Sequence, residues 1–172
     1  VNHALKHAGA KLGKSVQIDW IDSESITDYD VLSKYNGILV PGGFGVRGSE
    51  GIIKTANYAR EKNIPYLGIC FGFQLAAIAF GREVLKLDDA NSTEIKPDAK
   101  NPIVDLLPEQ KSISDMGGSL RLGANDIQIK LNTLSHKIYN SNTISKRHRH
   151  RYEINKKYIP EFEKNGLIFS AE

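Results

Sequence analysis

The chain has 172 residues, 40% of them hydrophobic and 25% charged, the balance of an ordinary globular fold long enough for one compact domain with a core. No apolar run approaches the roughly 20 residues of a membrane helix, and the opening VNHALKHAGAKLGK is amphipathic rather than the apolar core of a secretory leader. A net charge of +3 argues against field-driven nucleic-acid binding, and the single cysteine, Cys70, excludes an internal disulfide and fits a reducing cytoplasm.

In chain order, residues 2–11 read as the end of a helix, and residues 15–21 alternate like a strand through Val16, Ile18 and Trp20. A polar stretch follows over 23–33, with a helical turn at 30–34. Residues 37–41 form a short apolar strand that stops at Pro41, and residues 42–48 form a glycine-rich loop. Residues 49–62 predict an amphipathic helix with Ile52, Ile53, Ala56 and Ala59 on one face. Residues 64–69 read as a short buried strand, and residues 71–80 as a helix apolar nearly all round, hence deeply buried.

Alternation of such strands and helices predicts an α/β fold, a mainly parallel sheet with helices on both faces. The second half adds a small antiparallel region, with short strands at 83–88, 102–107, 120–122, 126–131 and 142–146. A short helix spans 158–165, with Pro160 in its first turn and Gly166 at its end, and a last strand begins at 167–170. Residues 1–172 read as one domain cut short at both ends.

The strongest local signal is Gly68-Ile69-Cys70-Phe71-Gly72, set between a strand and a helix. This is a nucleophile elbow with sulfur as the nucleophile. Glycines at 68 and 72 relieve crowding in the sharp turn, and the turn exposes Cys70 at the carboxyl end of the sheet in a strained conformation. The positive end of the following helix suits an anion there, and the Phe71 amide heads that helix, ready to donate to an oxyanion.

The loop Pro41-Gly42-Gly43-Phe44-Gly45-Val46-Arg47-Gly48 contains a formal G-x-G-x-x-G at 43, 45 and 48. A dinucleotide site is disfavoured, because the acidic residue expected about 20 positions on is replaced by Leu67-Gly68-Ile69. A second oxyanion donor from a loop after the neighbouring strand is the preferred role.

These two motifs resemble those of the class I glutamine amidotransferases. Further blocks, Asn91-Ser92-Thr93-Glu94, Met116 to Gly123 and Arg147-His148-Arg149-His150-Arg151-Tyr152-Glu153, are similar to the CTP synthase branch of that family. The resemblance implies a flavodoxin-like fold, a cytoplasmic enzyme of pyrimidine biosynthesis and a glutaminase that acts through a cysteinyl thioester. It makes Cys70 the nucleophile and Gly43 and Phe71 the oxyanion donors. Gly43, Phe71, Gly72, Phe73 and Gln74 would hold glutamine, Glu94 would pair with its α-ammonium group and Arg151 with its α-carboxylate. No cofactor or metal is implied for this domain. A synthetase domain on the same polypeptide, absent here, would use ATP, Mg and UTP, with GTP as activator, and the full-length protein would be a homo-oligomer, a tetramer.

Two features depart from the family pattern. The His-Pro-Glu motif that completes the triad does not occur, and His3, His7, His136, His148 and His150 all lack its context. The motif is expected beyond Glu172. The stretch 108–115 is short for the family's lid loop and has no arginine, which bears on GTP activation. The alternatives are another class I amidotransferase, a γ-glutamyl hydrolase, or a glutamine-binding domain without catalysis. The run from Lys146 to Arg151 could also be a basic patch, but it lacks interleaved aromatics for base stacking. On a strand, Arg147, Arg149 and Arg151 would share one face, and His148 and His150 the other.

Overall fold

The computed structural model describes residues 1–106 and 121–172. The lid stretch 108–115 lies outside the described residues, as do most of the 116–123 block and the start of the strand expected at 120–122. The chain divides into two units, residues 1–75 and 76–172.

In the first unit, helix α1 (Asn2–Lys11) is followed by Gly13 at φ +64. The expected strand at 15–21 forms no ladder among the described residues, and Trp20 is 78% exposed. Alternation makes a strand only where a neighbour supplies hydrogen bonds; here Val16 instead packs its side chain against Gly9 of α1. The polar stretch holds a 3₁₀ turn (Tyr29–Lys34), started by the Asp28 carboxylate accepting the Asp30 amide at 2.9 Å. Strands β1 (Ile38–Val40) and β2 (Tyr66–Gly68) pair in parallel, with Val40 opposite Gly68. A parallel pair needs a crossover, which helix α2 (Ser49–Glu61) provides while burying Ile53, Ala56 and Ala59. One correction concerns β2, expected to be buried: Leu67 and Ile69, two positions apart and so on one face of the strand, stay 54% and 40% exposed.

Helix α3 (Phe71–Glu83) leaves the first unit and continues into the second. As its composition predicts, Phe71, Leu75, Ala77, Ile78 and Ala79 are buried. The strand expected at 83–88 is absent. The chain there turns back on α3 through Leu85 N–H to the Phe80 carbonyl, and Lys86 and Asp89 adopt left-handed backbone that a strand cannot contain. The strand comes later, as β3 (Ala90–Ser92), parallel to β4 (Asn101–Leu106). Strand β4 also pairs antiparallel with β7 (Tyr152–Ile154).

The expected strands at 126–131 and 142–146 overlap longer ones shifted from those bounds, β5 (Arg121–Gln128), which ends three residues earlier, and β6 (Thr143–His150), and these two form an antiparallel ribbon. Helix α4 (Leu134–Tyr139) lies between them and was not anticipated from the pattern; it is short, but Thr133 Oγ1 accepts the His136 amide as an N-cap. Helix α5 (Ile159–Lys164) follows a 3₁₀ turn (Lys156–Tyr158) and buries Phe162 edge-on to Phe80, with ring centroids 5.7 Å apart. Residues 167–170 are not a strand; the tail makes a single antiparallel bridge, Ala171 opposite Ile129, through backbone hydrogen bonds of Ser170 and Glu172 to Lys130 and Gln128. The architecture is thus α/β, with the parallel pair β1–β2 in the first unit and, in the second, the mixed sheet β3–β4–β7 and the antiparallel ribbon β5–β6 expected for that half.

Candidate active site

The turn at Cys70 is built one hydrogen bond at a time. The Ile69 amide donates to the Val40 carbonyl at 2.9 Å, which extends the parallel ladder by one step. Cys70 then adopts φ +54, and its carbonyl accepts the amides of Phe73 and Gln74, both at 3.1 Å. Strand therefore becomes helix within a single residue, and that residue is an exposed thiol held in left-handed backbone that side chains disfavour. The flanking glycines are sterically required. A Cβ at 68 would lie 2.5 Å from the Phe73 amide nitrogen, and one at 72 would lie 2.9 Å from Val40 Cβ and closer still to the Val40 carbonyl.

A further brace was not anticipated. The Tyr66 hydroxyl donates to the Gly72 carbonyl at 2.9 Å, tying the start of β2 to the first turn of α3 across the bend. Burial pushes the Tyr66 phenol well above its ordinary value, so it remains a protonated donor. An aromatic at the start of a short strand carries no sequence signal for such a role.

Because β1 and β2 are parallel, the segments that follow them leave from the same edge. The structure brings these segments together. A Cβ at Gly42 would sit 3.5 Å from Cys70 Cβ, and one at Gly43 would sit 3.4 Å from Phe71 Cδ1. Phe71 is the first residue of α3, where an amide has no intrahelical acceptor. Its side chain is buried, as is that of Gln74, whereas Phe73 is 40% exposed.

The predicted residues of the second unit form their own group. Glu94 lies in the turn after β3, where its amide donates to Ser92 Oγ at 3.2 Å. The Thr93 hydroxyl bonds Asp105 Oδ1 at 2.9 Å, fixing this turn to β4. Arg151 occupies the bend between β6 and β7, with its Nε buried. The two charges meet electrostatically at Tyr152, whose phenol is raised first by burial, then by Glu94, and is lowered by Arg151. Glu94 and Arg151 thus both lie within electrostatic reach of one side chain.

The arginine run differs from the simple alternation expected of it. Arg147 and Arg149 are exposed on β6, but the strand ends at His150, so Arg151 turns away from their solvated face and is half-buried. His148 and His150 do share a face, and the structure adds that they bond to each other, Nδ1 to Nε2 at 3.0 Å. Their spacing of two on a strand could have suggested that contact. Of the other histidines, His136 bonds Asn142, and His3 and His7 stack on α1. Among the described residues no group of three His, Cys, Asp or Glu could hold a metal ion, and no helix is long and apolar enough to cross a membrane.

Comparison with known proteins gives this geometry a context. The chain is 52% identical to the CTP synthase of Archaeoglobus fulgidus over 172 residues, which is 99% of the chain and 32% of that protein. It is 53% identical over 174 residues to the CTP synthase of Staphylococcus saprophyticus, again 99% of the chain and 32% of the relative. The chain therefore spans about a third of the length of these relatives. Among solved structures, the glutaminase domain of Trypanosoma brucei CTPS with bound acivicin superposes with a TM-score of 0.92 at 36% identity, covering 99% of this chain and 67% of that one. The mixed sheets and flanking helices are those of the flavodoxin-like amidotransferase fold. The family description glutamine amidotransferase class-I matches residues 1–172, and the chain belongs to the class-I glutamine amidotransferase family.

Proposed function

We propose that this chain is the glutaminase portion of a CTP synthase and hydrolyses L-glutamine through a Cys70 thioester. The observation that carries the reading is an exposed thiol at a left-handed strand-to-helix turn, with the Gly42–Gly43 backbone against it. Cys70 Sγ attacks the carboxamide carbon, a C–S bond forms, and the carbonyl π pair moves onto oxygen. The amides of Gly43 and Phe71 donate to that oxyanion. Collapse breaks the C–N bond, and ammonia departs with a proton from a general acid. Water then adds to the thioester carbon and expels the thiolate, leaving glutamate.

The substrate roles rest on the resemblance together with the chemistry of the side chains. Gly72, Phe73 and Gln74 contribute to holding the glutamine. Its backbone end is a zwitterion, which Glu94 and Arg151 match, the arginine fork suiting the carboxylate. On this reading the two units are halves of one amidotransferase domain. The names and lengths of the relatives support a synthetase domain on the same polypeptide, which would use ATP and Mg to aminate UTP to CTP with the released ammonia. GTP activation, a homotetramer and a cytoplasmic location belong to the same proposal.

The test is a glutaminase assay on the purified protein that carries this chain. Cys70→Ala is expected to lower glutamate release at least about a thousandfold, with the thermal midpoint unchanged. Full activity in that variant would reject the nucleophile assignment.

A further inference from the structure

Outside the nucleophile turn, the histidine pair at the end of β6 is a cluster that the proposed reaction does not use. His150 Nδ1 lies 3.1 Å from the Tyr152 carbonyl oxygen, and His150 Nε2 lies 3.0 Å from His148 Nδ1. A carbonyl only accepts, so His150 Nδ1 carries the proton. In a neutral ring Nε2 is then the acceptor, and His148 Nδ1–H must be its donor. With His150 neutral, His148 donates to His150, and in either charge state His150 donates to the backbone of Tyr152.

The second bond closes a loop from residue 150 to residue 152, and the residue enclosed is Arg151. This is where the β5–β6 ribbon ends and the chain bends into β7. The bend determines where the arginine side chain starts. Arg149 is held differently, by the regular ladder opposite Leu122, whereas Arg151 lies beyond the end of that strand.

We infer that His150, backed by His148, is a positioning residue for substrate recognition: its imidazole clamps the Tyr152 carbonyl and so presets the backbone of Arg151 for the α-carboxylate of the substrate. The inference rests on the proposed role of Arg151. A preset guanidinium loses less freedom on binding, so the clamp acts on affinity for the zwitterionic end of glutamine and leaves the thioester chemistry alone. Its signature is therefore a change in KM at constant kcat.

The experiment measures kcat and KM for glutamine hydrolysis in the protein carrying this chain, for His150→Phe, His150→Asn, His150→Gln, His148→Phe and Arg151→Ala. Asparagine offers a donor where Nδ1 stands and can reach the Tyr152 carbonyl, whereas glutamine reaches outward toward His148 as Nε2 does. The loss of one hydrogen bond predicts KM raised about tenfold in His150→Phe and His150→Gln. The same bond kept predicts KM within about twofold in His150→Asn, with about threefold for His148→Phe, and kcat near wild type in all four. The contrast between Asn and Gln decides the matter even where the Phe variant does not fold. Equal KM values for Asn and Gln, with Arg151→Ala raising KM, would overturn the clamp and leave the Arg151 assignment standing. An unchanged KM in Arg151→Ala would remove the substrate role of Arg151 and the clamp with it.

Discussion

Two glycine-rich segments meet at Cys70, and they use glycine for different reasons. In the turn 68–72 the reason is space: a Cβ at either glycine would penetrate backbone, the Phe73 amide in one case and the Val40 carbonyl in the other. In the loop 42–48 the reason is conformation and approach. Gly45 sits at φ +85 with none of the described residues within 4 Å of a would-be Cβ, and Gly48 at φ +69 precedes α2. Only Gly42 and Gly43 in that loop face the elbow, at ordinary van der Waals distances. The difference teaches that a run of glycines is not one signal. The glycines of the elbow leave no room for a Cβ, whereas Gly42 and Gly43 in the loop have room for one, and their proposed role asks only for a backbone amide.

The comparison is broken most severely at Gly72. Gly72→Ala is expected to destabilise the protein by about 4 kcal/mol, because β1 and α3 must separate to admit the methyl group. Chemical denaturation measures this, and a cost below about 1 kcal/mol would mean that the turn is looser than its contacts imply. Gly43 sharpens the other side of the contrast. Gly43→Ala keeps the amide and places its methyl at 3.4 Å from Phe71 Cδ1, so kcat should remain within about tenfold of wild type. Gly43→Pro removes the N–H and should lower kcat by about 100-fold or more. Equal losses in the two variants, at matched thermal midpoints, would make the loop a spacer and not an oxyanion donor.

The elbow was legible in the sequence because its constraints are local. Gly68, Cys70 and Gly72 lie within five residues, and a short strand and an apolar helix flank them on either side. Helices α2 and α3 were legible for the same reason, since each carries its own periodicity. The failures occurred where a segment depends on a distant partner. Residues 15–21 alternate like a strand but form no ladder, while β3 and β7 are three-residue strands that exist only because β4 lies between them. Glu94 and Arg151, which both act electrostatically on Tyr152, lie more than 50 positions apart, and their proposed substrate roles came from family resemblance, not from spacing. The Tyr66 brace and the histidine clamp had no pattern to announce them, because each is a single hydrogen bond onto backbone.

The Tyr66 brace offers a milder test of how rigid the elbow must be. Tyr66→Phe keeps the ring and removes the bond to the Gly72 carbonyl, which predicts a loss of about 1–1.5 kcal/mol in stability. If the brace also holds the turn in register, the rate of Cys70 alkylation by iodoacetamide should change in the same variant. An unchanged rate would confine Tyr66 to stability.

The smallest effect is expected at Gly45, where the conformational reading of the loop is most exposed to disproof. Among the described residues nothing lies within 4 Å of its missing Cβ, so an alanine there meets none of them and feels the left-handed backbone at φ +85. That penalty is about 1 kcal/mol, a shift of about 2–4 °C in thermal midpoint for a chain of about 170 residues. Asparagine visits positive φ more readily than alanine, so Gly45→Asn should lose less than Gly45→Ala although its side chain is larger. A steric origin predicts the reverse order, with the larger residue worse. The ranking of these two variants therefore separates the two uses of glycine directly, and it does so at a position where catalysis does not enter.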